Sequence, residues 1–495
     1  MSVSDDRTLS DRLVRSALSG EYAVGSLGGF HAQLQEARGR VYAHAEQVPL
    51  GGLTQWRMDP DSGGIGHVSG KFFSVQGLDV RIPGAVVPHW NQPIISQPEV
   101  GILGILMREI NGVLHCLMQL KAEPGNCNGI QISPTVQATR SNYMRVHGGH
   151  PTPYLDYFRD RWRHRVVVDV RQSEQGSWFL RKRNRNMVIE VTEPVEALDG
   201  FVWLTVAQLN ELLAVDDLVN MDARSVLSCL PFLGPVPQEL TRAGDGFARS
   251  LTRSWSGRHP SAHTTGEVLS WVSERRAAAE VAVERIPLQA MAGWRYDGER
   301  ISHASSRFFD VIGVRVEAGG REVGRWDQPM IAARGTGLVA FLVTHLRGVL
   351  HVLVNTRVEP GFVDVAELAP TVQCIPDNYR QLPRSGWPPF LEEVLGADPG
   401  RVRFDVVQSE EGGRFYHTRT RHLIVETDQP LSHPDFRWMT PHQLTTLLAH
   451  SHYVNVQARS LLACLRTLAA APARHQLLGG QPTPPAAAAA PERAA

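Results

Sequence analysis

The sequence has few features that would tie it to a membrane or to a nucleic acid. No window approaches 18 uninterrupted apolar residues, so no membrane-spanning segment is expected. The 50 Lys and Arg residues balance 50 Asp and Glu residues, and a zero formal net charge argues against a general binder of nucleic acid or anionic membranes. One small anionic ligand, held by a local Arg cluster, remains compatible with this balance.

Cysteine and cofactor motifs are also scarce. The chain has 5 cysteines, with no Cys-x-x-Cys pair and no His-rich ligand spacing. A sparse, odd set without a signal peptide predicts a reducing, cytoplasmic setting, and we expect no bound metal. No Gly-x-Gly-x-x-Gly fingerprint follows a strand and no Walker loop occurs. We therefore expect no nicotinamide, ATP or other cofactor.

What the chain does contain is a long internal duplication. Segments 112–115 (Gly-Val-Leu-His), 123–125 (Glu-Pro-Gly) and 134–137 (Pro-Thr-Val-Gln) each recur 236 positions later. This period is too long for a solenoid unit, so it indicates duplication of a whole α+β domain.

The duplication suggests a division of the chain into five parts. We predict an N-terminal helical extension (1–28), a first repeat (29–230), a linker rich in Pro, Gly, Ser and Arg (231–265) and a second repeat (266–467). The Ala/Pro-rich tail (468–495) is expected to be disordered.

Local patterns predict several elements of the first repeat. Asn111-Gly112 is a strong hairpin signal, and the strand that follows, Val113 to Lys121, alternates between an apolar and a mixed face. A helix is predicted from Phe30 to Gln47, and Thr205 is expected to cap another from Val206 to Leu213.

Each copy carries a histidine, a cation and a carboxylate within nine residues: His115, Lys121 and Glu123 in the first, His351, Arg357 and Glu359 in the second. Alternation along a regular strand would place the first set on one face, as general acid–base chemistry requires. Alternatively, His115 is a hydrogen-bonded sheet histidine and Glu123 simply pairs with Lys121.

Polar loops beside these strands are candidates for binding a nucleotide diphosphate. One Arg guanidinium can donate two parallel hydrogen bonds to the oxygens of a phosphate, and aromatic rings can stack on nucleotide bases. The candidate residues are Trp56, Arg140, Ser141, Asn142, Tyr143, Arg145, Ser177, Trp271, Arg325, Arg347, Asn378, Tyr379 and Arg380. The alternatives are a hydrogen-bonded turn with surface Arg residues, core packing of Trp56 and Trp271, and a surface position for Ser177.

Longer motifs carry a specific resemblance. They are 90–93 (Trp-Asn-Gln-Pro), 120–126 (Leu-Lys-Ala-Glu-Pro-Gly-Asn), 133–139 (Ser-Pro-Thr-Val-Gln-Ala-Thr), 141–143 (Ser-Asn-Tyr) and 367–373 (Glu-Leu-Ala-Pro-Thr-Val-Gln). With these motifs the sequence resembles the NDP-hexose 2,3-dehydratases of deoxysugar biosynthesis, over roughly residues 20–467.

The resemblance implies a fold and a reaction. The fold would be α+β, with two tandem Nudix-like α/β sandwich domains related by internal duplication, in a homodimer. The substrate would be dTDP-4-keto-6-deoxy-glucose, which loses water across carbons 2 and 3. The unstable 3,4-diketo-2,6-dideoxy product would pass to a 3-ketoreductase, for deoxysugar and antibiotic glycoside biosynthesis.

Two other functions stay open. One is a Nudix-type nucleotide-sugar hydrolase, although the Nudix catalytic box is absent from the sequence. The other is a nucleotide-sugar binding protein without catalytic activity.

The two copies differ between Glu-Pro-Gly and Pro-Thr-Val-Gln. The first has Asn126, Asn128, Gln131 and Ser133 where the second has Phe362, Asp364, Glu367 and Ala369. This difference suggests one catalytic and one structural pocket. The second copy offers Asp364 and Glu367 as candidate bases, and a site shared between subunits is a further alternative.

Overall fold

The computed structural model describes residues 8–20, 23–140, 151–232, 246–321, 323–379 and 382–478, with side chains described as far as 469. Within this part the chain is mixed α+β. Ten α-helices occur: Leu9–Leu18, Leu27–Ala37, Leu155–Arg159, Val206–Leu212, Met221–Ser228, Gly246–Ser254, Thr265–Ala278, Leu391–Leu395, Pro441–Leu448 and Val456–Leu478. No helix in the described ranges has the length and apolar character needed to cross a membrane.

Twelve strands come from each repeat. Those of the first are β1 Tyr42–Val48, β2 Trp56–Met58, β3 Ile65–His67, β4 Ser74–Arg81, β5 His89–Ser96, β6 Gly101–Ile110, β7 Val113–Ala122, β8 Ile130–Ser133, β9 Val136–Ala138, β10 Arg165–Ser173, β11 Arg183–Val191 and β12 Phe201–Thr205. Those of the second are β13 Ala282–Ile286, β14 Trp294–Tyr296, β15 Arg300–His303, β16 Phe309–Gly319, β17 Arg325–Ala333, β18 Gly337–Leu346, β19 Val349–Val358, β20 Ala366–Ala369, β21 Val372–Cys374, β22 Val402–Ser409, β23 Arg419–Glu426 and β24 Phe436–Met439.

A seven-stranded sheet forms the centre of each repeat. In the first, the order is β10-β11-β6-β7-β12, with β8 beside β7 and β9 beside β6. The counterpart strands β18 to β24 pair in the same way in the second. In the first repeat, Leu114 and Met118 of β7 face a core that includes Leu13, whereas Leu117 faces the other core, with Phe158. Helices therefore cover both faces of this sheet, as the alternation along β7 requires.

Tight hairpins join β6 to β7 and β18 to β19. Asn111 and Gly112 have φ of 53° and 77°, and Arg347 and Gly348 have φ of 53° and 74°. Two successive positive φ values match the twist of the flanking strands, which is why Asn-Gly predicts this turn. Both hairpins lie at the opposite end of the strands from the Glu-Pro-Gly segments.

The two repeats exchange one strand each. β1, from the start of the first repeat, pairs antiparallel with β16 of the second, from Tyr42↔Gly319 to Val48↔Gly313. Reciprocally, β13 from the start of the second repeat pairs with β4 of the first. Each smaller five-stranded sheet thus contains strands of both repeats, so the repeats are interlocked.

A shared apolar core lies beneath these exchanged sheets. Each repeat contributes eight buried residues to it: Leu50, Leu53, Trp56, Ile65, Phe73, Val75, Ile95 and Phe179 from the first, and Leu288, Met291, Trp294, Ile301, Phe309, Val311, Ile331 and Phe415 from the second. Neither half of this core is complete alone.

Three local expectations differ from the structure. The predicted helix from Phe30 to Gln47 ends at Ala37, and Tyr42–Val48 is the exchanged strand β1. Part of the predicted linker is the helix Gly246–Ser254, whose Phe247 and Leu251 are buried in the second core. The last described helix continues to Leu478, eleven residues into the predicted tail.

Candidate functional site

The β7 strand ends at a buried ion pair. Lys121 Nζ lies 3.3 Å from Glu123 Oε1, and both side chains are at least nine-tenths buried. Gln137 donates a hydrogen bond to the same carboxylate at 3.1 Å, and Asn220 donates to Gln137 at 3.3 Å. We call the space around this pair the first pocket.

The second repeat builds a matching arrangement, the second pocket. Arg357 donates to Glu359 at 2.7 Å, and Gln373 donates to the same oxygen at 3.0 Å. Asn455 donates to Gln373 at 2.8 Å. The backbone amide of Ser177, a predicted binding residue, donates to the other oxygen of Glu359 at 3.1 Å.

Each pocket is closed by a loop from the other repeat. The Gly125 amide donates to Gly412 O at 2.8 Å, and the His417 amide donates back to Gly125 O at 3.0 Å. The second pocket repeats this pattern with Gly361, Gly176 and Arg181. A Cβ atom on Gly125 would overlap Phe415 O, so the approach of the two backbones requires glycine.

Acidic and amide side chains surround the first pocket. Asn126, Gln131 and Asp222 each keep one buried oxygen without a hydrogen-bond partner among the described residues. Gln131 donates to Ser409 of the second repeat at 2.8 Å. Burial, reinforced by repulsion from Glu174, Glu411 and Glu123, raises the pKa of Asp222 well above its usual value. Buried groups of this kind are typical of sites that bind a polar ligand.

The second pocket is filled differently. The ring of Phe362, at the position of Asn126, packs 2.6 Å from where a Cβ on Gly176 would be. Glu367, at the position of Gln131, is fully buried and accepts a hydrogen bond from Ser173 at 2.5 Å. Burial raises the pKa of Glu367 to about 7, despite the Ser173 bond and Arg459. Asp364, the other predicted base, is 42% exposed and lies 3.4 Å from Arg276.

His115 lies apart from the Lys121–Glu123 pair. Lys121 lies six positions further along the strand, which corresponds to roughly 20 Å. Its Nδ1 donates to Val113 O at 2.9 Å and its Nε2 accepts from the Val24 amide at 3.2 Å. His351 makes the same two bonds with Val349 and Ala262. Each histidine thus uses both ring nitrogens, Nδ1 within its own strand and Nε2 to hold a preceding segment against that strand.

A polar cavity of about 690 Å³ opens between β1 and β17. Its lining includes the predicted residue Arg325, with Arg315, Trp326, Glu317 and Asp327. Arg325 pairs with Glu317 at 3.1 Å and is largely exposed. The Arg321 guanidinium lies 5.9 Å from the Trp326 ring and 4.0 Å from Glu123, so this side chain connects a lining residue of the cavity with the first pocket.

The remaining predicted residues are scattered. Trp56 is in the shared core, where its Nε1 donates to Asp327 O at 2.8 Å, and Trp271 is buried in the second core under Arg437. Arg347 is at an exposed hairpin tip, ten strand residues from the second pocket.

Asn378 and Tyr379 are half-buried, and Tyr379 lies near Arg357 of the second pocket, where burial raises the pKa of Tyr379 against the effect of Arg357. Arg140 is exposed after β9. Ser141, Asn142, Tyr143, Arg145 and Arg380 lie outside the described residues.

Comparison with known proteins adds the decisive observation. A sequence model of the NDP-hexose 2,3-dehydratase family matches residues 28–230 and again residues 265–465, so both repeats are covered. The chain belongs to this family.

Three curated relatives of this NDP-hexose 2,3-dehydratase family member are each named dTDP-4-dehydro-6-deoxy-alpha-D-glucopyranose 2,3-dehydratase. The protein of Saccharopolyspora spinosa is 47% identical over 92% of this chain and 95% of its own length. That of Amycolatopsis orientalis is 44% identical over 94% and 96%. That of Streptomyces violaceoruber is 46% identical over 89% and 97%.

Sequence reasoning about this dehydratase family member missed Glu411 and Asp222 at the first pocket. Both come from segments remote from Lys121, and Glu411 comes from the other repeat. A signal was nevertheless present: the counterparts of Glu411 and Asp222 in the other copy are Gln175 and Gln457. At each of these positions one copy has a titratable side chain and the other has an amide. The pair Gln131 and Glu367, which the sequence comparison did single out, differs in the same way.

Proposed function

We propose that this chain removes water from dTDP-4-keto-6-deoxy-D-glucose, acting as a 2,3-dehydratase (a hydro-lyase) of deoxysugar biosynthesis. Family membership and the names of three relatives at 44–47% identity support this function. The structural observation that carries it is the buried Lys121–Glu123 pair, set among polar groups with unused hydrogen-bonding capacity.

The reaction needs a base and an acid on neighbouring carbons. The 4-ketone acidifies the proton on carbon 3, and a base that removes it leaves an enolate across carbons 3 and 4. Electrons of the enolate then form a double bond between carbons 2 and 3 and restore the 4-ketone, while the 2-hydroxyl, given a proton, departs as water. The 3-enol gains a proton at carbon 2 and loses its hydroxyl proton, and so becomes the 3,4-diketo-2,6-dideoxy sugar. Substrate therefore equals product plus one water.

Glu123 is the proposed base and Lys121 the proposed stabiliser of the enolate. A carboxylate held by Lys121 and Gln137 is positioned to accept the proton from carbon 3. The ammonium group 3.3 Å away can then stabilise the negative charge that develops on the 4-oxygen. A water-poor pocket strengthens this attraction.

The first pocket is proposed as the catalytic site, rather than the second, because different side chains occupy the two pockets. Phe362 occupies the second pocket at the position of Asn126, and Glu367 is wholly buried against Ser173. Asp364 is turned to Arg276 at the surface. At the position beside the closing loop, a sugar would meet the Asn126 amide in the first pocket but the Phe362 ring in the second.

The nucleotide is proposed to occupy the cavity beside the first pocket. Arg315 and Arg325 could bind the diphosphate there, and Trp326 offers a ring to the base. Because Arg321 lies near both Trp326 and Glu123, a nucleotide in this cavity would have its sugar close to Glu123. Arg140, Ser141, Asn142, Tyr143 and Arg145 remain proposed contacts of the first pocket, and Asn378, Tyr379 and Arg380 of the second.

Finer features of the assembly are part of the same proposal. Each seven-stranded sheet with its helices is proposed to be a Nudix-like sandwich, and the protein a cytoplasmic homodimer. A 3-ketoreductase is proposed to consume the unstable diketone, in a pathway leading to an antibiotic glycoside.

The test is incubation of the purified chain with dTDP-4-keto-6-deoxy-glucose, a 3-ketoreductase and NADPH. A 2,6-dideoxy sugar nucleotide, identified by mass spectrometry and NMR, is the expected product. Release of dTMP in the presence of magnesium would indicate a Nudix-type hydrolase instead. Unchanged substrate that binds tightly would indicate a binding protein.

A further inference from the structure

The loop that closes the first pocket brings its own carboxyl group. Glu411 lies on the 410–414 loop, whose Gly412 carbonyl accepts from Gly125 of the first repeat at 2.8 Å. Both Glu411 Oε1 and Glu123 Oε1 lie within 3.7 Å of the point where a Cβ on Gly413 would be. The two carboxyl groups, from different repeats, therefore border one small volume.

Unused polar groups mark the same volume. Asn126, 7% exposed, turns its Oδ1 toward Gly412, and this oxygen has no hydrogen-bond partner in the described part of the chain. Asp222, 3% exposed, likewise keeps Oδ1 unpaired there. Buried acceptors of this kind are costly unless a ligand or water supplies a donor, as sugar hydroxyls would.

The other copy lacks this acid. Gln175 stands at the position of Glu411, and its Nε2 donates to Glu410 at 2.8 Å. An amide cannot supply a proton at neutral pH, so the loop that closes the second pocket offers no acid at this position. The duplication thus places a carboxyl pair in the first pocket and a carboxyl–amide pair in the second.

We propose that Glu411, supplied by the second repeat, is the general acid that gives its proton to the departing 2-hydroxyl in the first pocket. This inference rests on the proposed function. Glu123 takes the proton from carbon 3, the bond between carbon 2 and its oxygen breaks, and that oxygen leaves as water with the proton of Glu411. The Glu411 carboxylate left behind regains a proton when the enol intermediate is converted to the ketone or from solvent.

The electrostatics of the loop suit this role. Burial, with repulsion from Glu123 and Glu174, raises the pKa of Glu411 to about 7, against the opposing effects of Arg414 and Lys182. A carboxyl that keeps its proton in part at neutral pH can act as an acid there, whereas an ordinary Glu cannot. Arg414 is itself held over the Phe73 ring at 4.2 Å.

The experiment separates proton removal from loss of water. The full-length Glu411→Gln variant is incubated in D₂O with dTDP-4-keto-6-deoxy-glucose. Deuterium at carbon 3 of the remaining substrate is followed by NMR, and dehydration by trapping with a 3-ketoreductase and NADPH. We expect dehydration to fall about 10²-fold or more while exchange at carbon 3 continues, since only the acid is lost. Glu123→Gln should lose both exchange and dehydration.

Glu410→Gln is the matched control on the same loop. Both Glu410 oxygens already accept hydrogen bonds, from Gln175 and from Thr420, so this variant removes a carboxylate without removing the proposed acid. Its ratio of exchange to dehydration should stay at the wild-type value.

Wild-type dehydration by Glu411→Gln, or an equal loss of exchange and dehydration in a folded variant, would overturn the proposal. If Glu411→Gln does not fold, Glu411→Asp replaces it, and an unchanged ratio of exchange to dehydration in that variant would also overturn it. Failure of the proposed function looks different, because the wild-type protein would then give neither exchange nor product.

Discussion

Replacing Gly125 or Gly361 by alanine should disrupt the backbone contact between each glycine and the loop that closes its pocket. We expect both variants to lose stability, but only Gly125→Ala to lose activity. A Cβ on Gly125 would lie 2.8 Å from Gly412 O and closer still to Phe415 O. A Cβ on Gly361 would meet Phe179 O and Gly176 O in the same way. These neighbours are backbone atoms, so a loop must move rather than a side chain.

The expected loss of stability can be estimated from the contacts. Overpacking of this kind costs about 1–3 kcal/mol. The two inter-repeat hydrogen bonds of each glycine contribute about 1 kcal/mol apiece. Each variant should therefore lose about 3–5 kcal/mol of unfolding free energy if both bonds break. Gly25→Ala, whose added Cβ would meet nothing within 4 Å, should be near neutral.

Chemical denaturation and kcat per folded molecule are the two measurements. Both variants should show the stability loss, but only Gly125→Ala should strongly lower kcat, because it displaces the Glu411 loop from the first pocket. Wild-type stability of Gly125→Ala would refute the close packing. An equal fall of kcat in Gly361→Ala would refute the assignment of chemistry to the first pocket.

Three further predictions test the pocket, its counterpart and the interlocked fold. Lys121→Ala should lower kcat about 10²–10³-fold through lost enolate stabilisation, and an unchanged kcat in steady-state assays would contradict this role. Because the pKa of buried Glu367 is raised to about 7, its ionisation reduces stability as pH rises from its usual pKa through 7. Glu367→Gln should therefore raise the unfolding free energy, measured by urea titration, by about 1–3 kcal/mol at pH 8 and not at pH 5. An equal change at both pH values would contradict this prediction. A chain cut between residues 232 and 246 should yield halves that fold only together. Each half supplies eight side chains of the shared core, and burial of each side chain contributes about 1.5 kcal/mol or more. Independent folding of either half, measured by circular dichroism, would contradict this.

Local features of the fold were predictable because local chemistry determines them. Asn111-Gly112 adopts the two positive φ values of a tight hairpin, and Thr205 caps a helix that begins at Val206. The alternation of β7 placed Leu114 and Met118 on one core. Each of these depends on residues within a few positions of one another.

The strand exchange was not predictable in this way. Tyr42–Val48 has four of its seven residues half-buried and three exposed, in an order without strict alternation, so no buried face with a period of two marks it as a strand. Its partner β16 lies more than 260 positions away, and only tertiary pairing selects a strand over a continued helix. The helix Gly246–Ser254 was also missed, because its apolar residues Phe247 and Leu251 lie in a segment rich in Gly, Ser and Arg, a composition that predicts a linker.

The candidate site was predictable in part for the same reason. Lys121 and Glu123 are neighbours on one strand end, and the structure brings them together. His115 was predicted on the same strand face because it is an even number of positions from both residues, but the length of the strand separates it from Lys121 by roughly 20 Å. Glu411 reaches the pocket only because the repeats interlock, so no spacing within one repeat could reveal it.

The most direct test of the central claim compares Glu123→Gln with Glu359→Gln in the coupled assay with dTDP-4-keto-6-deoxy-glucose, a 3-ketoreductase and NADPH. The two variants remove equivalent carboxylates from the first and second pockets, each bonded to a cation and a Gln. We predict that Glu123→Gln forms 2,6-dideoxy product at least about 10²-fold more slowly per folded molecule, while Glu359→Gln stays within about threefold of wild type. The reverse order, or equal rates in both, would contradict catalysis in the first pocket.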